Sequence, residues 1–148
     1  MTHVLHRQVP TRWTSDEVFA YLLDFSRAEE RDSGTVRCEG ASGDGGVSTR
    51  YRNVSKFLRR ETRLDYTTER VDAWRRTFTV AGGKRSVTST DTVTMTRQRR
   101  AAWVDYRAEL DFSGRARLLA PLLALLLKKL GDDTAAQLGR VLDAKAAA

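Results

Sequence analysis

The chain has 148 residues, of which 41% are hydrophobic and 30% are charged. This composition is typical of a folded globular protein and excludes an intrinsically disordered chain. The length suits one compact domain with its own core, so we expect a single domain over residues 1–148.

The net charge of +7 makes nucleic acid or an anionic membrane a partner to consider. The basic pairs fall where turns are expected, however, and successive turns of a hairpin meander lie at opposite ends of a sheet. The positive charge is therefore divided between the two ends of the sheet and is not gathered in one groove. Aromatic residues that alternate with the arginines, as in grooves that bind single strands, are also lacking. We expect no nucleic-acid partner.

A transmembrane helix is not predicted. The longest apolar run, residues 118–127, is interrupted by Pro121 and has about half of the roughly 20 residues that a bilayer requires. No charged-then-apolar leader opens the chain, so the cytoplasm is the expected location. Cys38 is the only cysteine, which excludes an internal disulfide and a cysteine-built metal site. His3 and His6 lack carboxylate partners at ligand spacing, so no metal site is expected. No cofactor motif is seen in the sequence, and no cofactor is expected.

The beginning of the chain predicts one strand and one capped helix. Residues 3–9 have the composition of a short strand, which is expected to end at Pro10. In the following stretch, WTSDEVFAYLLDF, Thr14 and Glu17 form a capping box at the start of a helix. The polar segment after it, SRAEERDSG, predicts a second short helix or an exposed loop.

From Thr35 onward the hydrophobic pattern changes from a period of 3.6 residues to a period of 2. Such alternation predicts an antiparallel sheet with one face toward the core and one toward water. A turn is expected in AGGKR, residues 81–85, because two glycines interrupt the alternation. The predicted strands cover residues 35–41, 47–60, 61–71, 76–80, 86–96 and 103–112.

The end of the chain predicts one long helix. In LLAPLLALLLKKLGDD and the residues after it, apolar side chains recur at about 100° per residue and form one stripe, into which Thr134 is set. The helix is expected from about Pro121 to about Lys145, a length of roughly 37 Å. A helix with this stripe and a sheet with one apolar face bury both surfaces when the sheet wraps around the helix. The stripe comprises Leu119, Leu123, Leu127, Leu130, Leu138 and Val141.

Two features of the pattern differ from those of a completely filled core. A second apolar stripe, formed by Leu118, Leu122 and Leu125, lies on another side of the C-terminal helix. In addition, residues that pack less well than valine or leucine stand on the inward faces of the predicted strands. These residues are Tyr51, Asn53, Ser55, Tyr66, Asp91 and Tyr106.

The order of these segments resembles the START-like (SRPBCC) superfamily, in its polyketide cyclase/dehydrase and lipid-transport branch. The resemblance rests on VFAYLLDF in the capped helix, on GGVSTRYR, LDYTTERVD, RSVTSTDTVTM and VDYRAELDFSG in the strands, and on LLAPLLALLLKKLGDD. It implies an α+β helix-grip fold, in which a curved seven-stranded antiparallel sheet surrounds a long C-terminal helix and a deep apolar cavity, with one or two short helices after the first strand. Many relatives have a Trp-Asp or Trp-x-Pro feature after the first helix, where this chain has SRAEERDS.

The resemblance implies binding, and with it transport or sequestration, of a small hydrophobic molecule such as a lipid, a quinone or a polyketide. Cavities of this kind are mostly hydrophobic, with a few polar groups that orient the ligand. Asn53, Ser55 and Asp91 are the candidate polar anchors, although Asn53 and Ser55 could instead point outward at a strand bulge. For each wall residue the alternative is ordinary core packing. The candidate wall residues are Tyr51, Phe57, Leu64, Tyr66, Phe78, Val93, Met95, Tyr106, Leu110, Leu123 and Leu127.

An enzymatic function of the cyclase, aromatase or dehydratase type is the first alternative. Asp91, with a pKa raised by burial, or Tyr66 together with Tyr106 could transfer protons to an enolisable substrate. No histidine or glutamate falls on a predicted inward face, which weighs against catalysis. Asp91 also has a structural interpretation, a salt bridge with Arg70 or Arg85 at the rim of the sheet.

The second apolar stripe, Leu118, Leu122 and Leu125, has two interpretations. With Lys128 and Lys129 after it, the stripe could dock on an anionic membrane while a lipid enters or leaves. It could also be buried against loops of the same chain or across a dimer, which is the commoner fate of such patches and the interpretation that we favour. The sequence does not distinguish a monomer from a homodimer.

Overall fold

The computed structural model describes residues 2–57, 60–84, 86–98 and 101–147. Within these ranges, the description covers the backbone alone at Phe57, Arg60, Lys84, Gln98, Leu119, Ala120, Leu123 and Ala147.

The described residues form seven strands, three α-helices and two short 3-10 helices. The strands are β1 Thr2–Thr11, β2 Thr35–Ser42, β3 Arg50–Phe57, β4 Arg60–Asp72, β5 Thr77–Lys84, β6 Val87–Gln98 and β7 Ala101–Phe112. The α-helices are α1 Ser15–Leu23, α2 Ala28–Arg31 and α3 Ala120–Ala147. The 3-10 helices are Phe25–Arg27 and Gly114–Leu119.

The strands form one antiparallel sheet in the order β1-β7-β6-β5-β4-β3-β2. From β2 to β7 every strand pairs with the next one in sequence, and β1 pairs with the other side of β7. α1 and α2 connect the two edge strands, β1 and β2, and α3 follows β7. This is the α+β helix-grip architecture that the resemblance implied, so that prediction is confirmed.

The alternating pattern places the expected side chains on the buried face of the sheet. In β3, Tyr51 and Asn53 are buried, whereas Arg52 between them is exposed. In β7, Val104 and Phe112 are buried. A period of 2 has this result because successive side chains of a strand point to opposite faces of the sheet.

α1 begins at the predicted capping box. The Thr14 hydroxyl oxygen accepts the Glu17 backbone N–H at 3.4 Å, and the hydroxyl donates to the Glu17 carboxylate at 2.6 Å. The first bond caps the helix because the first backbone N–H groups of a helix have no partner within it, and the second holds the Thr14 and Glu17 side chains together. The second short helix expected after α1 is also present, as α2.

α3 lies across the buried face of the sheet and packs into two apolar clusters. The larger one, called the α1 cluster, combines α1, the strands and the C-terminal half of α3. It comprises Val9, Val18, Tyr21, Leu22, Phe25, Ala28, Cys38, Tyr51, Tyr66, Phe78, Val80, Val93, Met95, Val104, Leu138 and Leu142. The smaller one, called the Phe112 cluster, comprises Phe112 and Leu127 with Leu5, Val87, Leu110, Ala116 and Leu130 packed against them.

Among the residues whose side chains are described, the apolar stripe of α3 differs from the prediction at Leu142. Leu142, which the predicted stripe omits, is 0% exposed and more deeply buried than Leu138 at 4%. Pro121 stands in the first turn of α3, as predicted, where its missing N–H removes no helical hydrogen bond.

β1 extends past the position where the sequence predicted its end. Pro10 lies opposite Trp103 of β7, and the strand continues to Thr11. The predicted end at Pro10 is wrong because β1 is an edge strand, and an edge strand accommodates a residue without an N–H.

The turn predicted at residues 81–85 is also wrong for residues 81–84, which belong to β5. Residue 85 lies outside the described residues. Gly82 lies inside β5, opposite Tyr66 of β4 and Ser89 of β6. A Cβ atom at Gly82 would stand only 2.1 Å from the Asp65 carbonyl oxygen. The glycine is therefore required for the close approach of two strands and not for a reversal of the chain.

Replacement of Gly82 by alanine is expected to lower the free energy of unfolding by about 1–3 kcal/mol, since the new methyl group forces β4 and β5 apart. Gly40→Ala is the matched control, because a Cβ there has no atom within 4 Å. Urea denaturation followed by tryptophan fluorescence measures both. Equal effects of the two changes would contradict the close approach.

Replacement of Leu142 by alanine is expected to lower the free energy of unfolding by about 2–5 kcal/mol, because it leaves a void in the α1 cluster. Leu125→Ala in the same helix is the control and should change it by less than about 0.5 kcal/mol, since Leu125 is 69% exposed. The same denaturation experiment tests the pair. A loss below about 1 kcal/mol for Leu142→Ala would mean that the end of α3 is not part of the core.

Candidate functional site

Between α3 and the sheet lies a cavity of about 480 Å³. Sites for small molecules have volumes of roughly 300–1,000 Å³. Leu22 and Phe25 of the α1 cluster and Leu127 and Phe112 of the Phe112 cluster all line the cavity. The space therefore separates the two parts of the apolar core.

The cavity results from the order of large and small residues along α3. Leu127 on one side and Leu138 on the other are buried against the sheet. The cavity-lining residues between them include Gly131 and Ala135, and the strand β7 presents the small Ala108 to the same space. Large residues of α3 therefore contact the sheet on both sides of the cavity, and the space beneath the small residues between them stays unfilled.

Arg7 of β1 holds this part of α3 to the edge of the sheet. Its Nε donates to Asp132 at 2.9 Å, and its Nη2 donates to the Lys128 carbonyl oxygen at 3.3 Å. A Cβ at Gly131 would lie 3.3 Å from the Arg7 Nη2 atom, so helix and side chain are already in contact there. Arg7 therefore connects β1 with α3 beside the cavity.

Asp91 is the most deeply buried carboxyl group that lines the cavity. It is 6% exposed, and its two oxygens accept hydrogen bonds from the Ser89 hydroxyl at 2.5 Å and from the Tyr106 hydroxyl. Burial raises the pKa of Asp91, and the two hydrogen bonds oppose this effect. Asp91 was also considered for a salt bridge with Arg70 or Arg85 at the rim of the sheet. Within the described residues it forms none with Arg70, because Asp91 lies in the middle of β6. Arg85 lies outside the described residues.

Two tyrosines contribute hydroxyl groups to the same region. Burial raises the pKa of Tyr66 and that of Tyr106, and the nearby Asp91 carboxyl acts in the same direction. Both phenols are therefore neutral at physiological pH and can donate hydrogen bonds. The Tyr66 ring centroid lies 5.1 Å from that of Phe25, which fixes this tyrosine against the α1 cluster.

Arg31 is a cavity residue that the sequence analysis did not identify. It is 6% exposed and lines the cavity from α2. Its Nη2 donates to the Leu22 carbonyl oxygen at 3.2 Å, and its Nη1 has no hydrogen-bond partner among the described residues. A signal for it exists in the sequence, since Phe25, Ala28 and Arg31 follow each other at intervals of three and share one helical face.

The structure divides the predicted wall and anchor residues into three groups. Those that line the cavity are Ser55, Leu64, Tyr66, Asp91, Val93, Tyr106, Leu110 and Leu127. Those that are buried in the core but do not line it are Tyr51, Asn53, Phe78 and Met95. For Phe57 and Leu123 the side chains lie outside the description.

Asn53 has a structural role in the sheet. It is 2% exposed, so the outward orientation considered for it is wrong. Its Nδ2 donates to the Thr35 hydroxyl at 3.2 Å, and its Oδ1 accepts from the Ser55 hydroxyl at 2.5 Å. The bond to Thr35 connects β2 with β3 beside a register shift of that pair, and the bond from Ser55 lies within β3.

The second apolar stripe of the C-terminal helix is exposed. Leu118, Leu122 and Leu125 are 83%, 56% and 69% exposed. Their expected burial against loops of the same chain is therefore wrong, while a dimer contact and a membrane contact stay predictions.

No helix in the described ranges has both the length and the apolar composition needed to cross a bilayer. The same ranges hold no cluster of three or more His, Cys, Asp or Glu residues suited to a metal ion.

Solved structures match the fold at low sequence identity, and no curated protein sequence matches the chain. ZhuI aromatase/cyclase from Streptomyces sp. R1128 superposes with a TM-score of 0.78 at 10% identity, covering 99% of this chain and 94% of that chain. TTHA0849 from Thermus thermophilus gives 0.76 at 14% identity and 95% of each chain. Ara h 8.0201 gives 0.63 at 9% identity, with 93% of this chain and 98% of that chain covered. At such identities the likeness shows the fold alone.

A family model matches the sequence itself over residues 2–143, and its description is polyketide cyclase/dehydrase and lipid transport. The matched range includes all seven strands and extends from β1 into the last turns of α3. Every residue that lines the cavity falls within it. The chain therefore belongs to the polyketide cyclase/dehydrase and lipid transport family.

Proposed function

We propose that the protein binds a small hydrophobic molecule in the cavity between α3 and the sheet. The observation that carries the proposal is the cavity of about 480 Å³, which interrupts an otherwise continuous core. A folded domain gains stability by filling such a space with side chains, and native interiors are close-packed. The small residues at Ala108, Gly131 and Ala135 are accounted for if a ligand supplies the missing packing.

The composition of the lining supports a mainly apolar ligand. Most of the wall surface is apolar, and leucine, valine and phenylalanine side chains from β1, β6, β7, α1 and α3 contribute to it. Burial of about 200 Å² of apolar ligand surface would contribute roughly 5 kcal/mol before the cost of association. The few polar groups, among them Asp91, Tyr106 and Arg31, would orient the molecule and select its chemistry.

Proton transfer to a bound ketone is a second candidate function, which the environment of Asp91 favours. A buried carboxylate with a raised pKa is a stronger base than an exposed one, and Tyr106 lies within hydrogen-bond distance of it. In this reaction the Asp91 carboxylate would remove a proton from the carbon beside a carbonyl group. The resulting carboxylic acid would then return a solvent-derived proton to the enolate.

Ala135→Phe is expected to weaken binding of the neutral fluorescent probe N-phenyl-1-naphthylamine by about tenfold or more, because the new ring occupies the cavity. Ala136→Phe is the matched control: the neighbouring residue of the same helix is turned away from the cavity lining, so its variant should bind as the wild type does. Fluorescence titration measures both affinities. Absence of saturable binding by the wild type, or an equal loss in both variants, would contradict the proposed site.

Hydrogen–deuterium exchange at the α-carbons of 2-tetralone, followed by NMR in D₂O, tests proton transfer. The wild type should exceed the buffer rate, and Asp91→Asn should lose about a hundredfold of that excess. Glu109→Gln, which changes an exposed carboxylate on the outer face of β7, should retain it. Exchange at the buffer rate with bound 2-tetralone would remove the second function and leave the binding function intact.

A further inference from the structure

Arg31 is the buried cation of the cavity, and the fold explains why it is there. It is the last residue of α2, and its guanidinium lies 5.7 Å from the Tyr21 ring centroid and 5.9 Å from that of Phe25. The Leu22 carbonyl oxygen that accepts from Nη2 belongs to the last turn of α1, where carbonyl groups lack helical partners. The side chain is thus held by two aromatic rings and one helix end.

These contacts satisfy only some of the hydrogen-bond donors of the guanidinium group. An arginine side chain has five N–H donors and stays protonated in proteins. The Nη1 group has no hydrogen-bond partner within the described residues, and no carboxylate there lies within 4.0 Å of Arg31 as a salt-bridge partner. Asp32 and Asp91 act on Arg31 electrostatically from beyond this distance. A buried cation without an anion in contact with it costs several kcal/mol, so Arg31 is expected to be paired when the protein performs its function.

The neighbouring carboxylates are already engaged elsewhere. Glu30 accepts the Tyr21 hydroxyl at 2.8 Å and lies 3.7 Å from Arg27. Asp32 accepts the Gly34 N–H at 2.8 Å.

Two further carboxyl groups near α2 are also occupied. Glu29 accepts the Cys38 N–H at 3.0 Å, and Asp91 accepts the hydroxyls of Ser89 and Tyr106. None of these four acidic side chains has Arg31 as a hydrogen-bond or ion-pair partner within the described residues, so none provides the missing partner.

Two arginines that are less buried than Arg31 have carboxylate partners. Arg7 pairs with Asp132 at 2.9 Å, and Arg76 pairs with Asp16 at 2.6 Å. An exposed arginine gains little from a partner, whereas a buried one gains much. The arrangement is the one expected if the counter-ion of Arg31 enters with a ligand.

We propose that Arg31 binds the carboxylate of a hydrophobic carboxylic acid, whose apolar part extends through the cavity toward the Phe112 cluster. The planar guanidinium matches a carboxylate in charge and geometry, whereas a neutral carbonyl would leave the charge uncompensated. Leu110, Phe112, Leu127 and Leu130 line the cavity and supply the apolar surface for the remainder of the ligand. This inference rests on the proposed binding function and adds the chemical class of the ligand to it.

The experiment compares decanoate with decanamide, which have the same chain and differ in charge, as competitors of N-phenyl-1-naphthylamine at neutral pH. The wild type is expected to bind decanoate about tenfold or more tightly than decanamide. Arg31→Met should abolish this preference, which is measured as the ratio of the two affinities and so does not depend on the overall affinity of the variant. Arg31→Lys keeps the charge but not the forked arrangement of N–H donors, so this variant should retain part of the preference for decanoate.

Arg27→Met is the matched control, because Arg27 also lies over the Tyr21 ring, at 5.4 Å, but is far more exposed and pairs with Asp24. This variant should keep the wild-type preference. Thermal unfolding verifies that each variant is folded, and if Arg31→Met does not fold, the wild-type comparison and Arg31→Lys decide.

The outcomes separate the two proposals. Equal affinities of wild type for decanoate and decanamide, or a preference that survives in Arg31→Met, would overturn the role of Arg31 and leave the binding function standing. Failure of the wild type to bind the probe and both competitors would overturn the proposed function and this inference together.

Discussion

The packing of α3 on the buried face of the sheet is the constraint on which the remaining structure depends. The sheet alone would expose an entire apolar face, and α3 packs along β1 and contributes side chains to both apolar clusters on that face. Leu127, Leu138 and Leu142 make this contact, whereas Gly131 and Ala135 lie between them over the cavity. Large residues thus set the distance between helix and sheet, and the small residues between them leave part of that space empty as the cavity. The same interaction stabilises the fold and creates the candidate site.

The polar groups of the cavity respond differently to burial, and this difference indicates their roles. Asp91 can become neutral by taking up a proton, and burial shifts its pKa in that direction. Tyr66 and Tyr106 are neutral hydroxyl groups under ordinary conditions. Arg31 cannot lose its charge under physiological conditions, so its desolvation must be offset by a partner. Under the proposed function, Asp91, Tyr66 and Tyr106 would orient the ligand, and Arg31 would pair with an anionic group of it.

The segment between β1 and β2 contributes more to the cavity than its polar sequence suggests. Leu22, Phe25, Ala28 and Arg31 all line the space, and α1 and α2 close it at the side of the α1 cluster. This segment, SRAEERDS with the residues before it, is also where the chain departs from the feature of many family members. The part of the chain that differs in sequence is thus the part that places a cation next to the cavity.

Local patterns in the amino-acid sequence were enough to establish which segments are strands and helices and which faces are buried, because periodicities of 2 and 3.6 residues are local properties of the backbone. The inward residues of β3 and β7 and the Thr14 cap follow from them directly. Which inward residues meet the cavity depended on the packed chain: Tyr66 lines it, whereas Phe78 on a neighbouring strand is core. Strand order and the position of α3 set that difference. The burial of Arg31 had the same origin, since a helix of four residues acquires a buried side only from what packs against it.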